Sequence, residues 1–396
     1  MKRILKSFVT MGFLVIAFTC FANNHNVQPE LKEGTVNSSN GITNITTVET
    51  QQNARDGVSF NKDMEDIDLI IKTGDTQIGG TLTVPAKPEI SALVILLSGS
   101  GDQDRDETLE GFKIMKIIAE HLASQGIASF RYDDRGVGES TGDFVNSTIE
   151  DHSKDLENIM DYFKTNKEHP FDDFILFGHS QGGILAGKVA VGNESVKKVI
   201  LMAAPAVPLV EVVLYQVRQE YNNTDIPKLL IEADVSAHNK LMRAIEDDEN
   251  IDDAYRLFRK TTESVLYAFS SSEVVVDSLK IQQGAIAKAN EFKMIYGLPS
   301  LTSFLYHDPS KDLEQLKVPV LSLFGGLDFQ VPIFQNKDRM ENALLKSGTD
   351  YHFVTFEDAN HFFQKAVTGQ RDEYGTLEKK FVTGFLNEIS NWIIGS

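Results

Sequence analysis

From residue 92 onward, short apolar runs alternate with segments whose apolar positions recur at helical spacing. ALVILLS (92–98) precedes a helical pattern near Gly111–Ser124, IASFRY (127–132) one near Ile149–Thr165, and DFILFG (173–178) one that begins after Ser180. Runs this short suit strands buried on both faces, and a helix between consecutive strands is the crossover that parallel pairing requires. The pattern predicts an α/β protein with a mostly parallel central sheet flanked by helices. Upstream, DIDLIIKT and IGGTLTV flank Gly74 and Asp75, which predicts an antiparallel hairpin at the start of the sheet.

The rhythm continues at VKKVILMAA (196–204), stops at PAVP, and resumes at VPVLSLFGG (318–326) and YHFVTFED (351–358), with an amphipathic helix expected near Glu373–Ile394. The interruption, residues 206–311, is rich in Glu, Asp, Lys and Leu and has little strand signal beyond EVVVDS. It reads as an inserted, mainly helical cap that divides a core into 62–205 and 312–396. Its acidic run EDDENIDD (246–253) is that of a solvated helix face or loop. Residues 23–61, dominated by Asn, Thr, Ser and Gln, read as a flexible polar tether. Residues 1–22 carry Lys2, Arg3 and Lys6 before an uncharged run from Ser7 to Ala22, the pattern of an export signal peptide cleaved near Asn23. A periplasmic or secreted protein is expected; the alternative is a lipoprotein anchored through Cys20, although Phe18 and Thr19 match that pattern poorly.

Composition narrows the partners. The formal charge is -19, and loss of the signal would make it more negative, which disfavours nucleic acid and anionic lipid. Cys20 is the single cysteine, so cleavage after Ala22 leaves neither a disulfide nor a cysteine metal site, and stability must come from the apolar core.

The chemistry centres on FILFGHSQGG (174–183). Gly178 and Gly182 bracket Ser180 in a G-x-S-x-G pattern set between an apolar strand and a helix, the context of a nucleophile elbow, whereas the pentapeptide in isolation reads equally well as an ordinary Gly-Ser turn. A serine hydroxyl needs a histidine to take its proton and a carboxylate to orient that histidine. Asp328, in LFGGLDFQVP, and His361, in EDANHFF, follow successive strands in the order Ser, Asp, His. Both occupy carboxyl ends of strands, where the sites of parallel sheets gather. His352 falls inside a strand, His121 and His152 fall in helices, and His179 is expected to point away from Ser180; Glu357 and Asp358 are the reserve acids. Donors to a developing oxyanion are expected at the N–H of Gln181 and, from the glycine-rich loop LLSGSGDQDRD, at Ser100 or Gly101, with Ser100 favoured. Asp102, Asp104 and Asp106 have EF-hand spacing, but Glu107 replaces the required glycine and Lys113 the terminal glutamate. No phosphate loop is present, since no G-K-[ST] follows, and no metal or other cofactor is implied.

With these residues identified, the chain from about Asp66 to Ile394 resembles the α/β-hydrolases, and more narrowly the bacterial capped esterases grouped with serine aminopeptidase-like (S33-type) hydrolases. GHSQGG, GLDFQVP, ANHFF, FRYDDRGVGESTGDF (130–144) and GSGDQDRDET carry the resemblance, in the order of that group. It implies a Ser180 nucleophile, a His361 base, an Asp328 orienter and an acyl-enzyme intermediate, with a structural role for Asp134–Ser140. Ser98 stands where many relatives have histidine before the glycine, which leaves the second oxyanion donor open. The expected function is hydrolysis of small-molecule carboxylic esters, short-acyl in preference. The rivals are a peptidase acting at peptide N-termini, with Glu246, Asp247 or Asp252 binding the free amine, and a catalytically silent binding module. Oligomeric state is not legible.

Overall fold

The computed structural model describes residues 64–270 and 277–395. The signal, tether and Cys20 readings, and most of EVVVDS, lie outside the described residues. Strands β1 (Met64–Thr73) and β2 (Thr76–Pro85) form the expected hairpin, with Thr73 opposite Thr76 and Gly74 at φ +70° in the turn. Next come β3 (Leu93–Leu97), a small antiparallel hairpin of β4 (Thr108–Leu109) and β5 (Phe112–Lys113), then β6 (Ser129–Tyr132), β7 (Phe174–His179), β8 (Val196–Met202), β9 (Val320–Gly325) and β10 (Tyr351–Phe356). The eight-stranded sheet has the order β1-β2-β6-β3-β7-β8-β9-β10, antiparallel through β1, β2 and β6 and parallel from β6 to β10. Because β6 and β7 flank β3 on opposite sides, the chain changes direction across the sheet at β3. The loops leaving β3 and β7 therefore border a crevice at the carboxyl ends.

Alternation along the central strands fills both faces. Leu93, Ile95 and Leu97 join Phe130, Leu176 and Leu201 on one side; Val94 and Leu96 join Ile175, Phe177 and Ile200 on the other. The first face is covered by α2 (Ile149–Thr165), α3 (Gln181–Ala190) and α10 (Ile333–Ser347), the second by α1 (Ile114–Ser124) and α11 (Phe385–Ile394). Thr148 starts α2 through a reciprocal capping box with Asp151, which satisfies two of the first-turn N–H groups. Between β8 and β9 the chain runs through α4 (Leu209–Gln219), α5 (Lys228–Glu246), α6 (Ile251–Ser270), α7 (Ser278–Tyr296), α8 (Pro299–Leu305) and α9 (Pro309–Leu313). These helices pack Val213, Leu241, Phe258, Phe292, Tyr296 and Leu301 into a separate apolar cluster, which Ile184 and Val331 join from the sheet side. The acidic run falls at the α5–α6 turn, with Glu246, Asp247 and Asp252 exposed.

Two expected helices change. The helix near Gly111 begins only at Ile114, because Gly111, at φ +83°, closes the β4–β5 hairpin. The helix expected over Glu373–Ile394 is helical only from Phe385; Arg371–Glu373 forms a single 3-10 turn. Phe381 bridges to Gln364 in antiparallel fashion, and its ring packs on Phe112 and Phe385. Tertiary contact thus satisfies those apolar positions without helix, and Gly384, at φ +88°, sets the late start. Phe385 also packs on Phe363, two residues beyond His361, with ring centroids 4.4 Å apart. Phe385→Ala should cost about 3–5 kcal/mol in urea unfolding, as for a large aromatic removed from a closed core; a loss below about 1 kcal/mol would show that this cluster does not hold the C-terminal segment.

Candidate active site

Ser180 sits at the turn between β7 and α3 with φ +51° and ψ -119°, a conformation that costs a non-glycine residue about 1–3 kcal/mol. Two glycines make the turn possible by close approach. A Cβ on Gly178 would lie 2.3 Å from the Gly182 carbonyl oxygen, and one on Gly182 would lie 2.4 and 2.5 Å from the carbonyl oxygens of Ser98 and Leu97. The start of α3 is thereby pressed onto the end of β3. Ser180 N–H donates to the Met202 carbonyl (2.8 Å), and the Ser180 carbonyl accepts from Gly183 N–H (3.0 Å), so the elbow is held from both directions.

Asp328 follows β9 and His361 follows β10; both are buried, and His361 Nδ1 lies 2.8 Å from Asp328 Oδ2. The other oxygen, Oδ1, accepts from the backbone N–H groups of Gln330 (2.8 Å) and Val331 (2.9 Å). An ionised carboxylate only accepts, so Nδ1 carries the proton in neutral His361 and Nε2 keeps its lone pair as a base. Burial holds the imidazolium form of His361 below the ordinary histidine range despite the opposing pull of Asp328. Glu357 and Asp358, the reserve acids, are exposed. His352 pairs with Glu388 at the surface, His121 bonds Ser390, and His152 packs beside Phe144 and Phe304.

Gln181 opens α3, where first-turn N–H groups have no intrahelical acceptor. Ser100 lies in the loop after β3, and its carbonyl accepts from Gln103 Nε2. The neighbouring Gly99 N–H donates to Glu107 Oε1 (2.9 Å) and is therefore occupied. The loop is fastened to FRYDDRGVGESTGDF: Asp133 takes the guanidinium of Arg105 (2.6 Å) and its backbone N–H, while Asp134 exchanges hydrogen bonds with the backbone of Gln103. Arg135 in turn binds Asp155 on α2. Burial, reinforced by Glu107, Asp102 and Asp133, pushes the Asp134 carboxyl well above the usual range. Asp104 accepts from the N–H groups of Asp106 and Thr108, and Asp106 pairs with Arg131 and Lys113.

Other residues around the site did not stand out in the sequence. His179 points to Glu107 and the His361 backbone: Nδ1 lies 2.7 Å from Glu107 Oε1 and Nε2 3.1 Å from the His361 carbonyl oxygen. Asn360 takes the N–H groups of Phe362 and Gln364 on its Oδ1 and so shapes the His361 turn; an Asn at a tight turn was its only signal. Gln216 on α4 donates to the Gln330 carbonyl, and Arg371 donates to both side-chain amide oxygens, which joins the helical insertion to the Asp328 loop. A separate surface cleft at the α5–α6 turn, bordered by Arg243, Asp247, Glu249 and Asp253, contains none of these residues.

A mostly parallel sheet carrying a strained Ser180 between β7 and a helix, with an acid and a histidine after later strands and a helical cap before β9, defines an α/β-hydrolase. The model of the serine aminopeptidase S33 family matches residues 92–363, and the chain belongs to that family. Among curated relatives, esterase EstD of Thermotoga maritima is 25% identical over 320 residues, covering 80% of this chain and 65% of the relative. Solved structures that are similar include a proline iminopeptidase of Mycobacterium smegmatis (14% identity, 83% of this chain and 97% of that one, TM-score 0.47). An esterase of Pyrococcus furiosus is also similar (14% identity, 74% and 82% coverage, TM-score 0.46).

The His361 ring, followed by the pH dependence of its NMR signals, should titrate with a midpoint below about 6.5, since burial lowers its folded value; a midpoint above about 7 would contradict that environment. Gly182→Val should abolish soluble, active protein in expression trials, because its side chain would displace the Leu97–Ser98 backbone.

Proposed function

We propose that this protein is a serine hydrolase that cleaves small carboxylic esters, short-acyl in preference, through Ser180, His361 and Asp328. The observation that carries the reading is the buried His361–Asp328 hydrogen bond after β10 and β9, in the sheet whose β7 runs into Ser180 at φ +51°. In the first half-reaction Ser180 Oγ attacks the ester carbonyl carbon while His361 Nε2 takes the hydroxyl proton. The N–H groups of Gln181 and Ser100 stabilise the resulting oxyanion, each by about 3 kcal/mol. Collapse expels the alcohol, which takes the proton from His361, and water then attacks the acyl-enzyme by the reverse sequence.

The relative named as an esterase supports ester over amide cleavage. Glu246, Asp247 and Asp252 lie exposed at the α5–α6 turn and give the N-terminal peptidase reading no enclosed amine site. The pattern of residues 1–22 further supports export, which a mature N-terminus at Asn23 in a periplasmic or secreted fraction would verify and an acylated Cys20 would replace with a lipoprotein.

Initial rates on p-nitrophenyl acetate through decanoate should fall with chain length. Ser180→Ala should lower kcat by at least about 10⁴-fold; equal rates for wild type and variant would sink the proposal. Aminoacyl p-nitroanilides should be cleaved at least about 100-fold more slowly than the acetate, and the opposite ranking would favour the peptidase.

A further inference from the structure

Glu107 and His179 are distant in sequence and almost wholly buried together, with side chains 4% and 1% exposed. Glu107 stands at φ +46°, its own N–H held by the Asp104 carbonyl, just before the β4–β5 hairpin. Its Oε1 receives Gly99 N–H (2.9 Å) and faces His179 Nδ1 (2.7 Å), while His179 Nε2 faces the His361 carbonyl oxygen (3.1 Å). A carbonyl oxygen only accepts, so Nε2 carries a proton and donates to His361, while Nδ1 shares a hydrogen bond with Glu107. The ring thus bridges the two segments through both of its nitrogens. Burial alone would oppose a charge on the ring, but the Glu107 carboxylate beside it lifts the His179 pKa above the ordinary range.

The hydrogen bonds run without a break from the loop that carries Ser100, through Glu107 and His179, to the backbone of the base. Their midpoint adjoins the nucleophile: a Cβ on Gly99 would lie 2.9 Å from Glu107 Oε1, 3.2 Å from His179 Nδ1 and 3.5 Å from Ser180 Cβ. We propose that Glu107 and His179 act as a buried positioning pair that holds the oxyanion loop and the His361 turn in register on either side of Ser180, an inference that rests on the Ser180 hydrolase reading above. Pairs this deeply buried add little net stability over apolar side chains of similar volume, and Glu107 Oε2 has no hydrogen-bond partner among the described residues. Its distinctive product is the alignment of two loops that lie far apart in the chain.

The test compares wild type, Glu107→Gln, Glu107→Ala, His179→Gln, the Glu107→Gln/His179→Gln double variant and Ser180→Ala, all with p-nitrophenyl acetate. Assays run well below each Tm, and rates are normalised to folded protein by circular dichroism. A positioning role predicts that the single variants lose kcat about 10- to 100-fold with KM within about threefold, as for misplaced catalytic groups. Glu107→Gln, whose amide oxygen can still accept from Gly99, should retain more kcat than Glu107→Ala. The double variant should lose no more than the worse of its two single variants, since both interrupt one connection. If His179→Gln fails to fold, the near-isosteric Glu107→Gln alone carries the comparison. A lowered Tm with unchanged kcat, or multiplying losses in the double variant, would overturn the positioning role while inactive Ser180→Ala leaves the hydrolase reading standing. A fully active Ser180→Ala would remove both.

Discussion

The arrangement of the site depends on how closely α3 approaches the end of β3. With no side chain at Gly182, the first turn of the helix rests on the Leu97 and Ser98 carbonyls. This contact places the loop after β3 beside the turn after β7, so that two distant segments meet at one end of the sheet. Ser180 accepts a strained φ as the consequence, and the Met202 carbonyl on β8 holds it there.

Around that contact the site is supported by polar groups taken out of water and paired. Asp328 has one oxygen on His361 and the other on two backbone N–H groups, which fixes both the ring and its tautomer. Gln216, Gln330 and Arg371 extend this support into the helical insertion. The insertion has its own apolar cluster, so it packs as a unit that meets the core at a few defined points, among them Ile184 and Val331. Substrate selection and chemistry can therefore reside on different layers of the molecule while sharing one boundary.

Legibility varied with the kind of signal. Strand positions were readable because five or six consecutive apolar residues have few alternatives in a two-faced sheet, and α2 matched its pattern at both ends, helped by the Thr148 cap. Ser180, Asp328 and His361 stood out because strand ends and chain order restrict candidates among many acids and histidines. The C-terminal pattern misled over residues 374–384: Phe381 is apolar at a helical spacing, yet it is held by an antiparallel bridge to Gln364 and by stacking on Phe385. Local periodicity cannot distinguish an apolar residue that faces the core from a helix from one that reaches it in irregular backbone.

By itself the sequence determined the alternation of strands and helices, the position of the helical insertion, the serine at a glycine-flanked turn and the acid and histidine after later strands. These follow from local periodicity and from the few residues that tolerate sharp turns. Only the tertiary structure decided that Glu107 meets His179, that His179 reaches the His361 carbonyl, that Asp134 is buried beside the loop after β3, and that Gln216 joins the insertion to the Asp328 loop. Each depends on side chains far apart in the chain converging at one end of the sheet. The strand order β6-β3-β7 sets that convergence, and no local pattern encodes it.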